Sequence, residues 1–234
     1  MKKFSILIPI FNEKNNIEAL IRKICGVLEK NIFEIIVVDD NSYDGSKEIL
    51  KRLKLKNKKF NFFIRKKHNR DLSKSIILGI SKTKYENIIV MDGDLQHNPN
   101  YLPKICKIFS KRNLDFLVCS RNFEKRYGLS FIRFCSSKFL ILMINFLLGK
   151  KISDPMSGFF IFKKNFFKSN KGYIYDKGFK ILMSLIYSTK KKLNIYEQKI
   201  IFEKRFNNKS KMSFIVLFHI IISLIYYSML RLKN

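Results

Sequence analysis

Tryptophan is absent from this chain of 234 residues, and acidic residues are few. The 47 lysines and arginines outnumber the 18 aspartates and glutamates, which gives a formal net charge of +29. Such an excess favours a polyanionic partner: a nucleic acid, a phosphorylated substrate or an anionic membrane surface. A genome biased toward Lys, Asn, Ile and Phe is the alternative explanation for part of it. Disorder is excluded, because apolar residues make up 47% of the chain.

Cysteine is also scarce. Cys25, Cys106, Cys119 and Cys135 stand far apart and form no C-x-x-C pair, which excludes the common zinc-binding patterns. We expect them to be small core residues in a reducing compartment. We find no internal repeat and no flexible linker, and the strand-like first ten residues lead us to expect no signal peptide. The length suits one large domain with a real core.

The first half of the chain alternates short apolar runs with helical patterns. The predicted strands are 4–10, 34–38, 60–64, 87–91 and 115–119, and the predicted helices lie at 15–28, around 49–53 and at 72–82. This alternation predicts an α/β fold, in which a mostly parallel sheet is covered on both faces by helices. Polar loops begin near residues 9, 39 and 92, at carboxyl ends of strands, where ligands bind in such folds. We therefore expect these three loops to line one crevice.

The loop Asp92-Gly93-Asp94-Leu95-Gln96-His97 carries the strongest chemical signal. Its two carboxylates are two residues apart, repel each other and are costly to bury. A divalent cation resolves that conflict, and the Gln96 carboxamide would complete a set of hard oxygen ligands suited to Mg²⁺ or Mn²⁺. Open positions on such an ion fit phosphate oxygens, so we expect a nucleotide diphosphate. A turn that uses aspartate as a helix N-cap is the alternative.

Two apolar stretches mark the second half. Residues 139–148 form an uncharged run too short to span a bilayer, which predicts a core helix or one at an interface. Residues 212–230 are also uncharged, and a helix of that length is about 28 Å long, just under a hydrocarbon core of about 30 Å. Because His219, Ser223 and Tyr227 form a polar stripe on it, a short tilted span and an interfacial amphipathic helix both fit. We favour the span.

Seven motifs occur in a fixed order along the chain. They are Pro9-x-Phe11-Asn12-Glu13, Val38-Asp39-Asp40-Asn41-Ser42-x-Asp44-Gly45, Asp92-x-Asp94-Leu95-Gln96-His97, Ser120-Arg121, Asp154-Pro155-Met156-Ser157-Gly158-Phe159-Phe160, Gly178-Phe179-Lys180-Ile181-Leu182 and Phe202-x-x-Arg205-x-x-Asn208-x-Ser210-Lys211. Together they resemble the dolichol-phosphate mannosyltransferase group of family 2 glycosyltransferases, over residues 4 to about 212. The resemblance implies a GT-A catalytic domain at 1–211, and the apolar stretch adds a C-terminal membrane-associating hydrophobic helix at 212–234.

The resemblance also implies site residues, carried over motif by motif. The nucleotide's base and ribose would be held by Pro9, Phe11, Glu13, Val38 and Asp40. The metal would be held by Asp92 and Asp94 beside Gly93, with Gln96 near it. The phosphates of the donor would be bound by Arg121, Arg205 and Lys211, and the acceptor phosphate by Arg133 and Ser137. Two departures from the family pattern are Asn208, where a glycine is usual, and residues 71–75, where the start of the third helix is usually rich in glycine.

The implied enzyme transfers a sugar with inversion from a nucleotide-sugar to a dolichyl or undecaprenyl phosphate, at the cytoplasmic face of the cell membrane. Asp92, Asp94 and Arg205 would stabilise the charge on the leaving diphosphate. The motif at 154–160 favours mannose from GDP-mannose, with glucose from UDP-glucose as the alternative. A phosphate monoester has a second pKa near 6, so it needs no strong general base, in keeping with a chain of only three histidines.

Two readings from other classes compete with this one. The charge permits a basic nucleic-acid-binding protein, but no basic stripe interleaved with aromatic residues is present, and the carboxylate loops would repel nucleic-acid phosphates. A scaffold that binds lipid or protein without catalysis is the other. The aspartates at 92 and 94 and the basic residues at 205 and 211 argue against it.

Overall fold

The computed structural model describes residues 2–29, 32–66, 70–121, 131–149, 151–178, 180–203 and 214–232. The strands in these ranges are β1 (Phe4–Ile10), β2 (Phe33–Asp39), β3 (Phe60–Ile64), β4 (Asn87–Val90), β5 (Phe116–Arg121), β6 (Phe160–Lys163) and β7 (Ile195–Ile200). The α-helices are α1 (Ile17–Val27), α2 (Ser46–Lys56), α3 (Leu72–Lys82), α4 (Leu102–Lys111), α5 (Phe131–Leu148), α6 (Lys164–Asn170), α7 (Ile181–Tyr187) and α8 (Phe214–Leu232). Short 3-10 helices lie at Pro99–Tyr101 and Lys171–Tyr173.

The strands form one sheet in the order β3-β2-β1-β4-β6-β5-β7. The β1 strand is parallel to β2 and β4, β2 is parallel to β3, and β5 is parallel to β7. The β6 strand is antiparallel to both of its neighbours, β4 and β5. The predicted mostly parallel α/β sheet is therefore confirmed. The edge strand β7 was not predicted from the apolar pattern.

The antiparallel direction of β6 decides what reaches the crevice. Strands β1, β2, β4, β5 and β7 all end at one edge of the sheet, whereas β6 begins there. The chain just before Phe160 therefore lies at the same edge as the end of β4, and Phe160 pairs with Val90 in the sheet register. The predicted convergence of the three polar loops is thereby extended to the segment that precedes β6.

Apolar side chains fill both faces of the sheet, as the continuous apolar runs of β1 and β2 require. One core lies under α1, α2 and α4 and the other under α3, α5, α7 and α8. The α3 helix approaches β1 so closely that a Cβ at Gly79 would lie 2.1 Å from Cδ1 of Leu7. Only glycine fits at that crossing without movement of the strand's side chain.

The cysteines divide between core and surface. Cys106 and Cys119 are buried, as predicted, and burial raises the pKa of the Cys106 thiol to about 12, which keeps it protonated and unreactive. The prediction is wrong for Cys135, which is exposed on α5, and Cys25 is half-buried. The exposed position arises because α5 turns one face away from the core.

The C-terminal helix α8 packs its polar stripe inward. Tyr227 is fully buried, accepts from the backbone N–H of Tyr175 and donates to the carbonyl of Ser184, while Nδ1 of His219 lies 3.2 Å from the Tyr175 hydroxyl. The outer face of α8 is apolar. The predicted span is not found: in the described ranges, no helix is both long and apolar enough to cross a membrane.

Candidate active site

Three loops at the carboxyl edge of the sheet are held in an unusual backbone conformation. Asn12, Asn41 and Leu95 have φ values of 56°, 62° and 63°, and each follows the end of β1, β2 or β4. Positive φ is costly for a residue with a side chain, most of all for a bulky one, and persists where the surrounding structure fixes it. The three polar loops of the crevice are thus locked in shape.

The first two loops are bonded to each other through their side chains. The backbone N–H of Asn12 donates to Oγ of Ser42 (2.8 Å), and its side-chain oxygen accepts from the N–H of Tyr43 (3.1 Å). The N–H of Lys14 donates to the Asp44 carboxylate (2.9 Å). Reciprocal bonds of this kind join the two loops into one rigid wall of the crevice.

Phe11 stands at the tip of this wall. Its half-buried ring lies edge-on to Tyr43, with 5.7 Å between ring centroids, and the guanidinium of Arg70 lies 4.7 Å from the centre of the Phe11 ring. Glu13 is buried, and its carboxylate accepts from the side-chain amide of Asn16 (2.8 Å). Of the predicted base and ribose contacts, Phe11 is the one that presents an aromatic surface to the crevice.

Pro9 and Val38 lie side by side within β1 and β2, paired in the sheet register. Both are buried. These two strand positions lie directly under the loops of the crevice. Their contribution to nucleotide binding stays a prediction.

Asp40 forms a buried ion pair with a residue that the motifs did not reveal. Nε of Arg65 donates to the Asp40 carboxylate (2.6 Å), and the same guanidinium donates to Oγ of Ser75 (3.3 Å). The second carboxylate oxygen of Asp40 accepts from the backbone N–H of Asp71 (2.7 Å). Burial raises the pKa of Asp40, against the lowering effects of the Asp71 N–H and of Arg65. The site of the predicted ribose contact is therefore built by the loop after β2, the connection from β3 to α3 and the first turns of α3.

Asp71 explains the departure from a glycine-rich start of α3. Its Oδ1 accepts from the N–H of Lys74 and caps the helix, and its Oδ2 accepts from the N–H of Gly178 (3.0 Å). The carbonyl of Gly178 in turn accepts from the N–H of Ser73 (2.9 Å). The replacement thus links the Asp40 loop to the motif that begins at residue 178.

The carboxylate loop after β4 is positioned by a buried histidine. His97 is 1% exposed, with its ring stacked on Phe159 (5.2 Å between centroids) and edge-on to Phe202 (4.9 Å). Its Nδ1 accepts from the backbone N–H of Asp92 (2.9 Å), which places the proton of the neutral ring on Nε2, 3.6 Å from the Asp92 carboxylate. This histidine therefore fixes the backbone of Asp92 and faces its charge.

The two carboxylates of this loop differ in environment. The Asp92 side chain is about one-third exposed, whereas Asp94 is buried and accepts from the N–H of Gln96 (3.2 Å). Gln96 forms two hydrogen bonds with the backbone of Glu203. The side-chain amide of Gln96 donates to the Glu203 carbonyl (3.2 Å), and the backbone carbonyl of Gln96 accepts from the Glu203 N–H (3.0 Å). The segment after β7 thus reaches the predicted metal loop.

Gly158, which the sequence indicated only as part of a motif, leaves the space that the Asp92 carboxylate occupies. A Cβ at Gly158 would lie 2.5 Å from Oδ2 and 2.8 Å from Oδ1 of Asp92. Gly93 has a similar constraint, since a Cβ there would lie 2.7 Å from Cγ2 of Ile10. The absent side chain at Gly158 is what lets the carboxylate and the segment before β6 share one edge of the crevice.

Arg121 is paired with Asp154, which is fully buried. The guanidinium donates from Nε (2.7 Å) and from Nη2 (3.0 Å) to the two oxygens of that carboxylate. Burial opposes the charged form of Asp154, but the Arg121 cation outweighs it, with help from Lys180, and holds the pKa of Asp154 below its usual value. Arg121, the predicted phosphate ligand, is 20% exposed. Its ion pair with Asp154 also fixes the position of the segment that contains Asp154.

The remaining predicted residues divide between α5 and the chain outside the described ranges. Ser137 is buried on α5, and Arg133 lies one turn earlier on the same helix. Arg205 and Lys211 lie outside the described residues; Arg205 follows Glu203 by two positions. Their predicted roles stay predictions.

The donor set at the carboxylate loop fits a divalent cation of the size of Mg²⁺ or Mn²⁺. In the part of the chain that the structure describes, no three His, Cys, Asp or Glu side chains are grouped as a metal cage. Mg²⁺ sites of this kind use one or two carboxylates and fill the other positions with water and substrate phosphates. Asp92 and Asp94 supply that number of carboxylates.

Comparisons with known proteins agree with this architecture. The family model of glycosyl transferase family 2 matches residues 5–170. The chain belongs to that family, and the GT-A-like α/β fold expected from the motifs is confirmed.

Among its relatives are dolichol-phosphate mannosyltransferases. The one from Pyrococcus furiosus is 35% identical over 188 residues, which cover 79% of this chain and 52% of the relative. The one from Saccharomyces cerevisiae is 30% identical over 193 residues, 79% of this chain and 70% of the relative. The chain therefore spans about half the length of the Pyrococcus protein.

Solved structures of low sequence identity share the fold. Glucosyl-3-phosphoglycerate synthase from Mycobacterium tuberculosis, in complex with Mn²⁺, UDP-glucose and phosphoglyceric acid, superposes with a TM-score of 0.73 at 14% identity, over 97% of this chain and 80% of that one. TarS from Staphylococcus aureus gives a TM-score of 0.62 at 17% identity, over 87% and 37%.

Proposed function

We propose that this protein is an inverting glycosyltransferase that transfers a sugar from a nucleotide-sugar to a polyprenyl phosphate. Mannose from GDP-mannose is the favoured donor, and the product is a polyprenyl-phosphate sugar. The observation that carries the proposal is the meeting of Asp92 with the Gly158 segment at one crevice. It sets a candidate metal carboxylate directly against the segment 154–160, whose motif favours mannose as the transferred sugar.

The proposed chemistry assigns the two carboxylates to the leaving group. Asp92 and Asp94 would hold Mg²⁺ or Mn²⁺, with Gln96 near it, and the ion would neutralise charge on the departing diphosphate. Arg205 and Lys211 follow the Glu203 anchor in the chain and would bind the same phosphates through charge-assisted hydrogen bonds. Asp92 is then a metal ligand and not a general base.

The nucleophile in this proposal is the acceptor's own phosphate. With a second pKa near 6 it is largely dianionic at neutral pH, so an oxygen lone pair is available without removal of a proton. Attack on the anomeric carbon from the face opposite the diphosphate inverts the configuration there. Ser137, and Arg133 one turn before it on α5, are the proposed seat for this phosphate.

A membrane-facing surface for the lipid acceptor is proposed on α5 and α8. The two helices pack against each other and turn large apolar side chains to the outside. These are Phe139, Leu142, Phe146, Phe218, Ile221, Ile225 and Met229. A contiguous exposed apolar face of this kind, with the exposed Lys138 beside it, fits the headgroup region of an anionic bilayer. The proposed location is the cytoplasmic face of the cell membrane.

UDP-glucose is the second candidate donor, because a solved structure with the same fold binds it. The Mycobacterium synthase binds UDP-glucose on the same architecture. Glucose transfer from UDP-glucose is therefore the alternative to mannose transfer.

The deciding experiment supplies both donors to the purified full chain. Labelled GDP-mannose and UDP-glucose are incubated separately with polyprenyl phosphate and Mn²⁺ in detergent, and the labelled lipid is extracted and its anomeric configuration determined. We expect mannolipid formation that EDTA abolishes and Mn²⁺ restores. Asp92→Asn should lower the rate at least about 100-fold, since it replaces a charged carboxylate ligand of the ion with a neutral carboxamide. An unchanged rate of sugar transfer by Asp92→Asn would overturn the metal assignment. A labelled lipid formed from UDP-glucose and not from GDP-mannose would show that UDP-glucose is the donor.

A further inference from the structure

A polar cavity of about 220 Å³ lies at the opposite edge of the sheet from the crevice. Its lining residues are Phe33, Glu34, Lys58, Lys59, Asn61, Lys84 and Tyr85. These residues open β2 and β3 or precede β4, so the cavity sits at the amino ends of parallel strands. None of them belongs to the motifs or to the proposed catalytic residues.

Glu34 is the first residue of this lining that has an unmet hydrogen-bonding requirement. It is 4% exposed, and its Oε1 accepts from Oγ of Ser5 (2.6 Å) and from the backbone N–H of Lys84 (2.6 Å). Its Oε2 is buried without a hydrogen-bond partner among the described residues. A buried carboxylate oxygen left without a donor is costly, so a hydroxyl or amine group supplied from the cavity would stabilise it.

Lys59 is the second such residue. Its Nζ is likewise buried without a hydrogen-bond partner in the described ranges, and it lies 5.6 Å from the centre of the Phe33 ring. Lys58 and Lys84 add two more cations to the same lining, against the single carboxylate of Glu34. The net positive lining selects an anion, and an ammonium is a common point-charge ligand for phosphate.

We propose that this cavity is a second small-molecule site, which binds a phosphorylated sugar or polyol. The phosphate would be held by Lys59 with Lys58 and Lys84, a hydroxyl would donate to Oε2 of Glu34, and the sugar ring would lie against Phe33 or Tyr85. The cavity's volume is below the range usual for drug-sized ligands, which suits a monosaccharide phosphate. The site is separate from donor and acceptor binding.

The test uses glucose 6-phosphate, glucose and inorganic phosphate as probes of the full chain, by calorimetry and by saturation-transfer NMR. We expect glucose 6-phosphate to bind more tightly than either of its parts. Lys59→Met should weaken it at least about tenfold, since one charge-assisted contact is lost. The matched control is Lys51→Met, which removes an exposed lysine of α2 that does not line the cavity. Binding should be unchanged in the control and in Asp92→Asn.

A second variant separates the two halves of the ligand. Glu34→Gln keeps the size of the side chain but turns one carboxylate oxygen into a donor. It should weaken the binding of glucose 6-phosphate without weakening that of inorganic phosphate, since removing the carboxylate charge lessens the repulsion of an anion. If Glu34→Gln lowers the melting temperature sharply, Lys59→Met decides alone. No saturable binding, meaning that the cavity holds only water, would overturn the proposal. Equal losses in Lys59→Met and Lys51→Met, or loss of binding in Asp92→Asn, would do the same.

Discussion

The seat of Asp92 gives the sharpest prediction about the active site. In Gly158→Ala the new Cβ would lie 2.5 Å from Oδ2 of Asp92, whereas ordinary contact begins at 3.4 Å. The carboxylate must therefore retreat by about 0.9 Å. The backbone of Asp92 is fixed by His97, so the movement falls on the side chain.

The size of the effect follows from that displacement. A misplacement of about 1 Å at a reacting centre costs on the order of 100-fold in rate, or about 2.7 kcal/mol of transition-state stabilisation. The fold should tolerate the change, because Gly158 does not have a positive φ and replacing such a glycine by alanine restricts the unfolded chain. We expect a melting temperature close to that of the wild type, together with an approximately 100-fold loss of kcat.

The assay is sugar transfer to polyprenyl phosphate at saturating Mn²⁺, with Mn²⁺ affinity measured by electron paramagnetic resonance. Gly26→Ala is the matched control, since a Cβ on this glycine of α1 meets nothing within 4 Å and alanine favours a helix. Gly158→Ala is also combined with Asp92→Ala. If Gly158 acts through Asp92, it should have little further effect there. Activity within about threefold of wild type in the single variant, or an undiminished further loss in the double variant, would refute the reasoning.

Three further predictions concern the buried ion pair, the buried histidine and the apolar face. Asp154→Asn should lower the free energy of unfolding by about 3 kcal/mol at pH 7, because it leaves Arg121 without its buried partner. Because the pKa of Asp154 is lowered in the folded protein, this stabilisation is present above about pH 4 and is lost as the pH falls through the folded-state pKa. In urea titrations, the difference in free energy of unfolding between wild type and Asp154→Asn should therefore be smaller at pH 3 than at pH 7. Equal urea midpoints of the two proteins at pH 7 would contradict the prediction. His97→Phe keeps an aromatic ring but leaves the Asp92 N–H without an acceptor, so donor affinity should fall about tenfold or more, with rescue by His97→Asn, whose Oδ1 can take the place of Nδ1; equal losses in both variants would argue against the acceptor role. Phe146→Glu (88% exposed in the wild type) should weaken sedimentation with anionic vesicles at least about tenfold, whereas Leu55→Glu, at an 89% exposed position on α2, should not, and identical behaviour of the two would exclude the proposed membrane face.

The chain's local patterns determined the class of fold and the place of the site. Apolar runs bounded by polar loops predicted β1 to β5, because a strand buried on both faces must be apolar along its whole length. The crevice followed from this, since loops after parallel strands meet at one edge. The motifs then indicated the family, because each motif consists of residues close together in the chain. Their order can be recognised from the sequence without knowing any tertiary contact.

Contacts between distant residues were decided only by the tertiary structure. The pairing of Asp40 with Arg65 and of Arg121 with Asp154 joins residues 25 and 33 positions apart, with no periodic signal between them. The close approach of Gly158 to Asp92 depends on the reversed direction of β6, which is set by its antiparallel pairing with the distant strands β4 and β5. The polar stripe of α8 was visible in sequence, but a stripe can face water, lipid or protein. Only the packing of Tyr227 and His219 against the domain shows that it faces protein, which leaves the apolar side outward.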